Sequence, residues 1–177
     1  MPYASGYLAQ AVLCLAVILV LCLYRPAPPP PVEETKVKGR PLRVIFREPK
    51  VAIAVLVAVT SYAMMSLMMT AAPLAMIACG FGTGQAALGI QWHVIAMFVP
   101  SFFTGRRIQR FGAEPIAGIG LCLLALAGVT ALLGITLAHF YIALIFLGLG
   151  WNFGFIGGTP MLANAQRPEE RAKVQAA

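Results

Sequence analysis

The chain has 177 residues, 60% of them hydrophobic and 11% charged, with a net charge of +7. Soluble domains carry about 25% charged residues, so the composition excludes an ordinary soluble globule and reads as an integral membrane protein. Every Lys, Arg and Glu lies within residues 25–50, 106–114 or 167–173, and there is no aspartate, so no extended basic face exists to bind nucleic acid.

Taken in chain order, the uncharged stretch 1–24 holds one crossing, about 5–24, because a span needs roughly 20 residues at about 1.5 Å each. A secretory signal peptide is the rival reading, but the segment lacks a basic start, and "LCLYRPAPPPP" offers no small-residue cleavage site. Residues 25–50 form a linker whose proline run favours an extended, semi-rigid conformation. It reads as a connector between two membrane units, with a proline-directed binding peptide as the alternative. The stretch 51–105 accommodates two helices, 51–78 and 86–105, parted by the glycines of "CGFGTGQ", Cys79 to Gln85. The stretch 115–166 accommodates two more, 115–136 and 139–161, parted near "GITLAHF", Gly134 to Phe140. The predicted fold is all-α and integral to the membrane. A first transmembrane helix (1–24) and the linker (25–50) precede a four-helix membrane unit (51–161) and a charged tail (162–177).

Two hairpins that begin and end at basic clusters place all three clusters on one side of the bilayer. Short loops rich in Lys and Arg stay cytoplasmic, which predicts a multi-pass protein of the cell's inner, plasma membrane with its basic loops inside. The first helix must then start outside, as an even-numbered helix of a longer protein does.

These features together resemble the major facilitator superfamily (MFS) of transporters. The resemblance rests on a charged connector, a helix, a short outer turn, a second helix and a basic glycine-containing turn into a third. The family's signature loop runs roughly Gly-x-Leu-x-Asp-Arg-x-Gly-Arg-Arg, and "GRRIQRFGAE" matches it at Gly105, Arg110 and Gly112. It departs at Arg107, at Gln109 in place of the aspartate, and at Ala113 and Glu114. The ending "RPEERAKVQAA" is similar to the family's loop after its tenth helix. The resemblance implies that the five helices correspond to the sixth through tenth of a twelve-helix bundle, so that the chain is partial. It also implies that the loop Gly105, Arg106, Arg107, Arg110 and Gly112 helps to hold the cytoplasmic side shut, a latch weakened here or dependent on Glu114. The plain alternative is a turn that anchors the hairpin, with its arginines in the aqueous interface.

Polar groups inside spans are costly in lipid and tend to face a cavity or a partner helix. Gln91 and His93 in the third helix, Asn152 in the last, and Tyr62 and Thr70 in the second are the candidate solute-pathway residues; Tyr62, Ser66 and Thr70 share one helix face. Hydrogen bonds that merely pack helices are the competing explanation for each. Gly150, Gly154 and Gly158 recur every four residues and predict close helix approach. Pro73 is expected to kink the second helix, and the methionines of "YAMMSLMMTAAPLAM" suit an adaptable apolar surface.

Enzymatic chemistry has no support. The four cysteines are scattered without a CxxC pair, no phosphate-cradling Gly-rich loop occurs, and no carboxylate lies inside a span, so neither catalytic residues, a metal site nor a cofactor is expected. The absent intramembrane glutamate also argues against a small multidrug exporter. Two functions remain: secondary transport of a small solute by alternating access, or a non-transporting membrane subunit or remnant. The expected partners are the lipid bilayer, a small-molecule solute, and other transmembrane helices or a second copy. Five helices lack the paired halves that alternating access needs, so the isolated chain is expected not to transport.

Overall fold

The structure, a computed structural model, describes residues 4–24, 40–166, 170 and 174. The proline-rich connector and most of the charged tail lie outside the described residues. Five of the described helices are long and apolar enough to cross a membrane, and no strand occurs among the described residues. The protein is an all-α, multi-pass membrane protein. In the first of its two units, Met1–Val37, the described part is a single helix, α1 (Ala4–Leu23), uncharged and apolar but for Ser5, Tyr7 and Gln10 near its start.

The second unit begins with a short helix, α2 (Leu42–Ile45), and continues through α3 (Pro49–Ala78), α4 (Thr83–Phe98), α5 (Ser101–Phe111), α6 (Ala113–Leu133) and α7 (Leu137–Ala165). Pro49 opens α3, where its missing N–H costs nothing. The helix then continues through Pro73 to Ala78. Gly80 ends it in a left-handed conformation, φ +86°, while the Phe81 and Gly80 N–H groups donate back to the Met76 and Ile77 carbonyls, each at 3.0 Å. The next helix starts three residues before the expected 86, with Gln85 Oε1 accepting the Gly82 N–H at 2.9 Å.

The clearest departure from expectation is "RRIQRF", residues 106–111, beyond the expected helix end at 105. It is not a turn but part of the helix α5, which carries the α4 span onward to Phe111. Pro100 marks the junction because it has no N–H for the ladder. The turn into α6 is one residue, Gly112, at φ +89° and ψ 162°. Only glycine populates that region freely. Gly105, by contrast, is an ordinary helical position inside α5, so it is not a turn residue. Other boundaries shift by a few residues: α3, α6 and α7 each start two residues early, α6 ends at Leu133, leaving Gly134 to Thr136 as the turn, and α7 runs past Pro160 to Ala165.

Within this unit α7 is the central helix, packed on α3, α4 and α6. An apolar core of Ala72, Leu124, Ala127, Leu144 and Leu147 joins α3, α6 and α7, and Met64, Met68 and Met69 fill its margin. The uncharged turns meet at one end, where the Phe81 and Phe140 rings contact edge to face at 5.9 Å. The basic start of α3 and basic end of α5 meet the end of α7 at the other. There Lys50, Gly112, Glu114 and Asn164 line one cleft, and Arg40 pairs with Glu170 at 2.7 Å and with Glu48 at 3.2 Å. Val174 packs beside this pair against Ile45 and Val51, tying the chain after α7 to the start of α3.

Candidate functional site

Asn152 lies in the middle of α7 and is fully buried. Its Nδ2 donates to the Met97 carbonyl at 2.7 Å and to Ser101 Oγ at 2.6 Å, and its Oδ1 accepts from Thr104 Oγ1 at 2.7 Å. These partners bracket Pro100. The ladder between α4 and α5 is interrupted there, and the Asn152 amide supplies hydrogen bonding where the proline withdraws it. Ser101 and Thr104 were not singled out in the sequence, because lone hydroxyls in a span ordinarily bond their own helix. Thr104 also lies 2.8 Å from the Pro100 carbonyl of its own helix, so its single hydroxyl proton is shared between that carbonyl and Asn152 Oδ1.

His93 makes another α4–α7 contact, 1% exposed, with Nδ1 3.0 Å from the Leu144 carbonyl. A carbonyl only accepts, so Nδ1 carries the proton. The same contact is tight because Gly148 faces the His93 carbonyl, and a Cβ there would sit 2.5 Å from that oxygen. Thus His93 and Asn152 lie inside the helix unit, joining α4 and α5 to α7.

The remaining candidates lie on the unit's outer surface. Gln91 is exposed. Thr70 is exposed and donates to the Ser66 carbonyl of its own helix at 2.9 Å. Tyr62 is 56% exposed, and its ring approaches Phe155 of α7, centroids 6.5 Å apart. Phe155 in turn stacks on Trp151, centroids 5.0 Å apart and planes 8° from parallel. This ring cluster escaped the sequence reading because aromatic residues in a span are unremarkable until their faces are known.

At the basic end of α5 Arg106, Arg107 and Arg110 are exposed, and Arg110 lies over the Phe111 ring, 5.3 Å from its centroid. The glycine strip is buried but serves two neighbours. Gly150 abuts Leu124 and Gly120 of α6, whereas Gly154 faces Ser61, and Gly158 faces Ala54 and Ala58, all on α3. The closest α6–α7 approach also uses Gly120, whose Cβ would strike the Gly154 backbone, and Gly157, which lies against Ala117. Among the described residues no group of three or more His, Cys or acidic side chains is placed to hold a metal ion.

Comparison with known proteins bears on this arrangement. Residues 2–177 match the family model of the Major Facilitator Superfamily. The riboflavin transporter RfnT of Brucella anthropi is 50% identical over 180 residues, covering 99% of this chain and 44% of that protein. Two MFS-type transporters of Bacillus subtilis described as uncharacterized also match. YdeG is 35% identical over 95% of this chain and 42% of its own length, and YddS is 32% identical over 71% and 29%. The chain therefore spans less than half the length of these curated relatives. No solved structure gives a significant match. A charge-free interior, hairpins that begin and end at basic segments, and this similarity over 99% of the chain agree: the chain belongs to the major facilitator superfamily.

Proposed function

We propose that this chain supplies solute-carrying helices of a secondary transporter whose cargo is riboflavin or a closely similar small molecule. The observation that carries the reading is the 50% identity to a riboflavin transporter along 99% of the chain. In this reading the basic end of the helix unit faces the cytoplasm of a bacterial cell, as the distribution of Lys and Arg favours. The exposed arginines Arg106, Arg107 and Arg110 anchor that end in the aqueous interface. His93 and Asn152 brace α4 and α5 on α7, while Tyr62, Gln91 and Thr70, on the outer surface of the unit, are left to face solute or other helices. Alternating access proceeds by rocking of such braced units around a site near the membrane midplane.

The test is a chimera in which residues 1–177 replace the matching segment of RfnT. Radiolabelled riboflavin flux is then measured in membrane vesicles against an empty-vector control. Flux within about tenfold of the parent, roughly 1.4 kcal/mol in the limiting barrier, is the expected result. Background flux from a chimera present in the membrane at parental levels would contradict the reading.

A further inference from the structure

The transport reading leaves one feature of the membrane interior unexplained. Trp151 stands at the middle of α7, and its Nε1 is buried without a hydrogen-bond partner. A buried indole N–H ordinarily finds an acceptor, and an unmet donor in a low-dielectric interior is costly. The same indole is stacked face to face on Phe155, and the Tyr62 ring is tilted 44° against Phe155, so three rings from α3 and α7 form one contiguous cluster at mid-membrane depth. Phe155 is also a wall of a cleft of about 490 Å³ between α5 and α7. Beyond Phe155, that cleft reaches Gln109 of α5 and Thr159 of α7. The Thr159 hydroxyl donates to the Phe155 carbonyl at 3.0 Å, which leaves its lone pairs available to accept.

From these observations we infer a two-part binding site. A flat heteroaromatic ligand that carries a carbonyl or ring-nitrogen acceptor stacks on a ring face of the Tyr62, Phe155 and Trp151 cluster that no neighbouring ring covers, and the cleft toward Gln109 and Thr159 takes a hydroxylated tail. The inference rests on the transport reading for its setting and goes beyond it by assigning residues and a recognition chemistry. Stacking supplies affinity for a planar ring with little demand on its substituents. The indole N–H favours a ring with an acceptor at its edge. Tyr62, more than half exposed, is the ring with room to move as the ligand reaches that donor. Gln109 offers both a donor and an acceptor, the pair that a polyol chain needs. Its place in the basic loop, where the family signature has an aspartate, thereby acquires a role that a carboxylate would serve less well, having no donor when ionised.

Three probes separate the two parts: lumichrome (the tailless tricyclic ring, as its alloxazine tautomer), riboflavin (ring and tail) and ribitol (tail alone). The 177-residue chain in lipid nanodiscs is titrated with each, following quenching of flavin fluorescence by the stacked rings and competition by ribitol. Lumichrome and riboflavin are expected to bind and be quenched, and ribitol to compete poorly. Trp151→Phe, which keeps a ring but removes the N–H, should weaken both ring ligands about tenfold, the scale of one lost hydrogen bond. Phe155→Leu should weaken both by a similar factor. Gln109→Leu should weaken riboflavin about tenfold and leave lumichrome unchanged. Equal binding of lumichrome by wild type, Trp151→Phe and Phe155→Leu would overturn the ring platform, as would no binding by the wild-type chain. Equal loss of both ligands in Gln109→Leu would overturn the tail subsite. The chimera keeps this separate from the transport reading. Riboflavin flux with a KM unmoved by Trp151→Phe sinks the site and spares the transporter. Ring binding without riboflavin flux spares the site and sinks riboflavin as the cargo.

Discussion

Gly112 and Gly105 lie seven positions apart in one basic segment, and the backbone treats them oppositely. At Gly112 the left-handed φ of +89° makes any side chain strained, although a Cβ would meet nothing closer than Pro115 Cδ at 3.7 Å. Gly112→Ala should therefore cost about 1–3 kcal/mol from backbone strain alone. Gly105 is helical with open space around it, so Gly105→Ala should stabilise the protein by about 0.5–1 kcal/mol. Unfolding of the purified protein by SDS titration, followed by its helical circular dichroism, checks both; equal effects of the two substitutions would contradict the assignment of the turn. Composition alone could not separate them. Both glycines fit the family's loop signature, and a cluster of glycine and arginine between apolar runs looks like a turn throughout. What distinguishes Gly112 is the abrupt restart of α6, which only the backbone reveals.

The helix contacts turn on small residues and a few amides. Gly120 opposes the Gly154 backbone, so Gly120→Ala should force α6 and α7 apart at a cost of about 1–3 kcal/mol. Gly118, two residues away with no atom near its missing Cβ, should accept alanine without loss; the same denaturation assay reads both. Asn152→Leu removes three hydrogen bonds around the Pro100 junction and should cost about 1–2 kcal/mol. Thr70→Val, which loses only a bond within its own helix, should change stability by no more than about 0.5 kcal/mol. Asn152 and His93 were visible in the sequence as polar groups out of place in lipid. Their partners were not, because a main-chain carbonyl of Met97 or Leu144 leaves no trace in residue type. The glycine strip was legible as a sign of close approach, but its division between α3 and α6 was not. Gly120, Gly148 and Gly157 lie outside the four-residue repeat that made the strip visible.

For the whole molecule the decisive quantity is where charge sits. In hydrocarbon, ionised side chains are so costly that their absence from 51–105 and 115–166 marks those stretches as interior, and lengths near 20 residues per crossing then divide them. That is why the number of helices was legible while their ends shifted by a few residues, and why the extension of α5 from 105 to Phe111 was missed: basic residues can extend a helix past the apolar zone into the interface. The architecture places the starts of α3 and α6 and the ends of α5 and α7 at one end of the unit, and the turns Cys79–Gly82 and Gly134–Thr136 at the other. The most direct test is cysteine accessibility in a background lacking Cys14, Cys22, Cys79 and Cys122, using a membrane-impermeant maleimide on intact and on opened cells. Arg43→Cys and Arg107→Cys should react only once the cells are opened, and Thr83→Cys and Ile135→Cys should react on intact cells. Labelling of Arg107→Cys and Thr83→Cys from the same face would contradict the membrane crossing on which the account depends.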